Sequence, residues 1–109
     1  FDIVILMALT YIFSEELWLY KGEGAWYFIT LPIEYADEIK SIANPLKRGF
    51  GSIKVKVTIG KSTWNTSIFP DLKSKSYMLP IKKEIRIANK LRAGDTPKVE
   101  ITLRDEFDG

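Results

Sequence analysis

The stretch Ile53 to Ile68 limits most strongly what this chain can become. Ile53, Val55, Val57 and Ile59 alternate with Lys54, Lys56 and Thr58, a period of two that fits a strand with one buried face. Gly60-Lys61 then supplies a two-residue turn. A hairpin closed there sets Ile59 opposite Ser62, Val57 opposite Trp64, Val55 opposite Thr66 and Ile53 opposite Ile68, all on the core side. Lys54, Lys56, Thr58, Thr63, Asn65 and Ser67 face water. Such a ribbon is not stable alone, so other elements must cover its apolar side.

The flanking segments supply that cover. Thr10 to Tyr20 reads as one strand, with Leu9, Tyr11 and Phe13 in one phase and Leu17 and Leu19 after a slip at Ser14-Glu15-Glu16 that a bulge explains. Ala25 to Leu31 is aromatic and β-branched on both faces, which predicts burial on both sides. Pro32 ends it and opens a helix carrying Tyr35, Ala36, Ile39, Ile42 and Ala43 at helical spacing up to Asn44-Pro45. Lys47 to Gly51 is a basic glycine loop. Further on, Tyr77 to Leu79 is a short strand, and Pro80 opens a second helix with Ile81, Ile85, Ala88 and Leu91 inward and Gly94-Asp95 as its cap. Lys98 to Leu103 is a final alternating strand.

Two of these stretches repeat. Tyr27 to Ile33, a helix, a glycine loop and Ile53 to Ile59 echo Tyr77 to Ile81, a helix, Gly94 and Pro97 to Leu103. Each unit runs strand, Leu-Pro, helix, glycine turn, strand, and neither can bury its apolar face by itself. The expected fold is mainly β with two short helices: a closed, small double-split β-barrel of about six strands, built from two pseudo-symmetric units. Its single domain is expected over residues 8–104, preceded by an extension at 1–7 and followed by an acidic tail at 105–109.

Composition removes whole classes of chemistry. The 109 residues include no histidine and no cysteine, so thiol nucleophiles, Ser-His-Asp triads, disulfides and the usual zinc ligand sets are out of reach. The acidic pairs Glu15-Glu16 and Asp37-Glu38 are adjacent and diverge in regular structure, which does not suit paired acid and base work. Lys47 to Ser52 leads into a strand rather than a helix and is no phosphate loop. No catalytic residue, metal site or cofactor is expected. The apolar run Ile3 to Phe13 is shorter than the ~20 residues of a membrane span and is flanked by Asp2 and Glu15-Glu16, so the expected location is cytoplasmic.

Leu17-Trp18, Gly24 to Phe28, Leu31-Pro32, Lys47 to Ser52, Val57 to Gly60, Trp64 to Pro70, Tyr77 to Pro80, Ile85-Arg86 and Gly94-Asp95 together resemble the family catalogued as domain of unknown function 1905. The likeness runs from Tyr11 to Leu103. It implies a double-split barrel capped by helices, related in fold to the AbrB and MazE group of swapped-hairpin proteins. It implies no biochemical role.

Two sets of residues are candidates for function. Trp26, Trp64 and Tyr77 could line an apolar pocket for a small ligand, and, separately, Arg48 and Arg86, each where its half-unit turns, could together hold an anionic group. Structural roles compete: the aromatics as core, and each guanidinium tied to loop carbonyls or a nearby carboxylate. The second set follows from charge, since residues 1–38 carry a net −6, residues 39–92 +11 and residues 93–109 −3. Lys54, Lys56, Lys73, Lys75 and Arg92 would then be an electrostatic footprint for nucleic acid, the plain alternative being solvated faces. The reading that leads is a non-enzymatic binding or interaction module for a small ligand or protein partner. An AbrB-like nucleic-acid binder comes second, and an enzyme using carboxylates third.

Overall fold

The computed structural model describes residues 9–22, 24–43 and 51–104. The N-terminal extension, the basic loop with Arg48 and the acidic tail fall outside the described residues. In chain order the elements are β1 (Thr10–Ser14), β2 (Leu17–Lys21), β3 (Ala25–Thr30), α1 (Ile33–Ala43), β4 (Ile53–Ile59), β5 (Ser62–Asp71), β6 (Ser76–Pro80), α2 (Lys83–Ala88) and β7 (Lys98–Leu103). All strand pairs are antiparallel, in the order β1-β7-β4-β5-β6-β3-β2, and the sheet curls into a half-barrel.

The central hairpin has the register its alternation predicts: Ile59 faces Ser62, Val57 faces Trp64, Val55 faces Thr66 and Ile53 faces Ile68. Gly60 takes a φ of +57°, and Lys61 does not share the left-handed region, which suits a turn with glycine first. β5 is long enough to serve two ladders. It pairs with β4 as far as Ile68 and with β6 from Phe69 to Asp71, so the sheet folds over along it. Ile53, Val55, Val57, Ile59, Ile68, Val99 and Ile101 are buried on the concave side, joined by Leu17, Ile29, Tyr77 and Leu79 from the other half.

Seven strands replace the expected six because the N-terminal stretch is two strands, not one with a bulge. β1 pairs with β7 and β2 with β3, so the chain changes ladders at Glu15-Glu16. Leu17 fixes the corner: its N–H donates to the Asp95 carbonyl at 2.8 Å, and its own carbonyl accepts from Gly94 N–H at 2.8 Å.

Corresponding strands of the two similar sequence units pair with each other, β3 with β6 and β4 with β7. The first ladder is centred on Ile29 and Leu79, and Leu31 N–H to Tyr77 O mirrors Ile81 N–H to Tyr27 O. The two Leu-Pro pairs are not equivalent. Pro32 follows β3, whereas Pro80 is the last residue of β6 and sits opposite Phe28, so α2 starts only at Lys83.

α2 also ends earlier than its apolar spacing suggests, and Gly94 does not cap it. Lys90, at φ +55°, is the left-handed residue past the C-cap Asn89. Lys90 N–H donates to Ile87 O at 3.2 Å and Leu91 N–H to Arg86 O at 2.8 Å, the Schellman arrangement. A side chain is strained in this conformation. Lys90→Gly is therefore expected to raise stability by about 0.5–1 kcal/mol in urea denaturation; an unchanged midpoint would show that the strain is relieved locally.

A cation-edged aromatic cleft as the candidate ligand site

β3 was expected to be covered on both faces, but it is not. Ile29 is fully buried on the concave side, whereas Trp26, on the convex side, is 55% exposed and stacks on Phe28 with centroids 6.2 Å apart and planes 9° from parallel. This exposed tryptophan stands at the mouth of the curled sheet, where β3 begins and β6 ends. The Ile81 N–H to Tyr27 O bond, 2.9 Å, carries the chain onward so that Lys82 runs alongside Trp26. One helical turn further, Arg86 folds back over the mouth. Its Nε donates to the Ile81 carbonyl at 3.2 Å and its guanidinium lies 3.8 Å from the centre of the Tyr27 ring, a cation–π contact.

Across from these residues stands β5. Trp64 and Thr66 are on its concave side but close to the open end, so both are half-buried, with Trp64 packed against the core. The space between is a cleft of about 670 Å³ lined by aromatic Trp26, Tyr27 and Trp64, by polar Asn65 and Thr66, and by Lys82, Lys83 and Arg86. Among the described residues that line it there is no carboxylate, and Glu84, the one acid of α2, is not part of the wall. An amphipathic wall that carries three cations favours an anion with a flat apolar body.

Of the pocket residues expected from sequence, the structure gathers Trp26, Trp64 and Arg86. Arg48 lies outside the described residues. Tyr77 is elsewhere: it points into the core from β6, beneath α1, with Lys40 Nζ 6.0 Å from its ring, and burial raises its phenol pKa. Arg86 combines two roles that seemed alternatives, since it ties down a carbonyl through Nε while its charge stays at the cleft. Lys82 and Lys83 were passed over as solvated helix lysines. Their signal was the Pro80-Ile81 step, which swings the chain across Trp26 before the helix starts.

The five residues of the proposed nucleic-acid footprint sit on a strand, a turn and the segment after α2. Lys54 and Lys56 are on the convex face of β4, in a sheet region where Glu100 of β7 faces Thr58. Lys73 and Lys75 belong to the β5–β6 turn, with the Lys75 carbonyl held by Lys40 Nζ at 2.7 Å. Arg92 follows α2, beside the Gly60 end of β4, where Asp95 accepts from its backbone N–H at 2.8 Å. Among the acids, Glu38 accepts the Tyr11 hydroxyl at 2.7 Å; burial, with this carboxylate beside it, holds the Tyr11 phenol well above its usual range.

A second groove, of about 630 Å³, lies at the β1–β2 corner between Ser14, Glu15, Thr30, Glu34 and Ser76, and is acidic where the first is basic. No helix among the described residues is long and apolar enough to cross a membrane. No curated protein matches the chain. The family described as Domain of unknown function (DUF1905) matches residues 13–101, from Phe13 in β1 to Ile101 in β7, a span that takes in most of the curled sheet and the described residues of the cleft. The chain belongs to the DUF1905 family.

Proposed function

We propose that this domain is a binding module rather than a catalyst, and that its ligand is a small planar organic anion held in the cleft between Trp26, Trp64 and Arg86. The observation that carries this reading is the cluster of Lys82, Lys83 and Arg86 on an aromatic-walled cleft, with no carboxylate among the described residues that line it. The volume of about 670 Å³ suits one ligand of modest size. Tyr27 already holds Arg86 in place, so little side-chain entropy is lost when an anion arrives. In the same reading the half-barrel is a double-split barrel whose seam runs between β1 and β2. Support for this comes from the chain path, because these outermost strands are joined by Glu15-Glu16 alone.

Titration of tryptophan fluorescence with thymidine monophosphate, a planar ring carrying a phosphate, against uncharged thymidine tests the cleft. The nucleotide is expected to quench saturably and the nucleoside to bind at least about tenfold more weakly, since charge-assisted bonds contribute roughly 1.5–3 kcal/mol. Trp64→Ala and Lys82→Glu should each weaken the nucleotide about tenfold or more. Equal binding of the two compounds, or none by the nucleotide, removes the reading.

A further inference from the structure

The convex face of β2, β3 and β6 has no charged side chain in three consecutive rows. Tyr20 stands beside Trp26; Trp18 beside Phe28 and Pro80; Thr30 beside Met78, which neighbours Phe69 of β5. Strands with one face on the core normally turn polar side chains outward. Here Tyr20 is 48% exposed and Phe69 42%, while Trp18, Phe28 and Met78 are half-buried. The rings are ordered around Phe28, with Trp18 at 5.3 Å, Trp26 at 6.2 Å and Tyr20 at 6.3 Å. Trp18 is locked by its indole N–H, which donates to Thr30 Oγ1 at 2.9 Å.

Any side chain at Gly22 would strike the Tyr20 ring, and Gly24, at φ +82°, lies against the Trp26 indole. The cations that edge this end of the face are Lys82, Lys83 and Arg86, on the wall of the cleft. Glu15 and Glu16 lie at the opposite end of β2. Trp26 belongs both to the convex row and to the cleft wall, so platform and cleft are one surface.

We propose that this surface is a platform for single-stranded nucleic acid, the cleft taking one nucleotide and the Trp26, Phe28, Tyr20 and Trp18 rings stacking the bases next to it. The inference rests on the cleft reading above and extends it from a monomeric to a polymeric anion. Base stacking needs exposed, ordered rings in neighbouring strands, and the phosphates need cations along one edge; both are present here. A duplex cannot offer its base faces, so the preference is for a single strand.

The test is fluorescence titration of the full chain with thymidine monophosphate and with oligothymidylates of two to twelve residues, with sedimentation velocity of the protein alone. Affinity is expected to rise roughly tenfold per nucleotide over the first three or four and then level off. Against salt, the log–log slope should be about −2 for three neutralised phosphates. Tyr20→Ser should weaken the oligonucleotide about tenfold and leave the mononucleotide unaffected, and Tyr20→Phe, which keeps the ring, should bind like the parent. If mononucleotide and dodecamer bind equally, the platform is refuted and the cleft reading stands. If the mononucleotide does not bind at all, both fall. Polyglutamate binding as tightly as the oligonucleotide, or a dimer that Tyr20→Ser dissolves, overturns the inference in favour of an acidic protein or a second copy.

Discussion

Replacing Leu17 with alanine is expected to remove about 3–5 kcal/mol of stability, the upper range for truncating a buried leucine, because the site has little freedom to collapse. Leu17 is fully buried, and it stands where the chain leaves the β1–β7 ladder for the β2–β3 ladder. Its backbone is held on one side by β3 and on the other by Gly94 and Asp95, so the strand cannot shift inward to fill the cavity. For a domain of this size a loss of that order is a large fraction of the whole unfolding free energy of about 5–15 kcal/mol. Urea denaturation measures it. Leu19→Ala, two residues on and 41% exposed, serves as the control and should cost under about 1 kcal/mol. Equal losses at the two positions would mean that the corner does not depend on this anchor.

Gly60→Ala is expected to cost about 2–4 kcal/mol, from two sources that can be separated. The first is backbone strain, since Gly60 sits at φ +57° in the two-residue turn. The second is a collision: a Cβ at this position would run into Asn89 Oδ1. Asn89 is the tie between α2 and the hairpin, with Nδ2 donating to Ser62 Oγ and to the Ile85 carbonyl, both at 3.0 Å. Pushing it aside loses both bonds. If the collision matters, the losses for Gly60→Ala and Asn89→Ala will not add, and the double variant will be little worse than Gly60→Ala alone. Strict additivity in thermal unfolding would leave turn strain as the whole cause.

The hairpin from Ile53 to Ile68 was legible residue by residue, register included, because strict alternation and a glycine turn leave one way to put every apolar side chain inward. That the two similar stretches pair with each other was legible too, since each has an apolar face it cannot cover alone. Finer boundaries were not. A Leu-Pro pair marks a possible helix start in either unit, but whether the proline ends a strand or sits within its ladder depends on how far the neighbouring strand extends, and β3 reaches Pro80 while nothing comparable reaches Pro32. The end of α2 was misplaced for a related reason: Lys90 takes the left-handed position that glycine usually marks, which propensity alone does not anticipate.

The candidate site was legible by residue type and not by partnership. Trp26, Trp64 and Arg86 were singled out, yet Tyr77 looked equivalent to them, and alternation along β6 turns it into the core. Aromatic residues on both faces of β3 suggested two buried faces. One face is exposed instead, because α1 and α2 lie elsewhere and no element of the described chain covers Trp26 and Phe28.

From the amino-acid order alone came the predominance of strands, the hairpin register and the absence of imidazole and thiol side chains, all properties set by local periodicity or by composition. Tertiary structure decided where charge and aromatic surface ended up. The +11 segment reads as one block along the chain, but successive residues of a strand point to opposite faces, and antiparallel partners bring in side chains from distant segments. Folding therefore put Lys54, Lys73 and Arg92 on a strand, a turn and the segment after α2, and brought Lys82, Lys83 and Arg86 against two tryptophans thirty-eight positions apart in the chain.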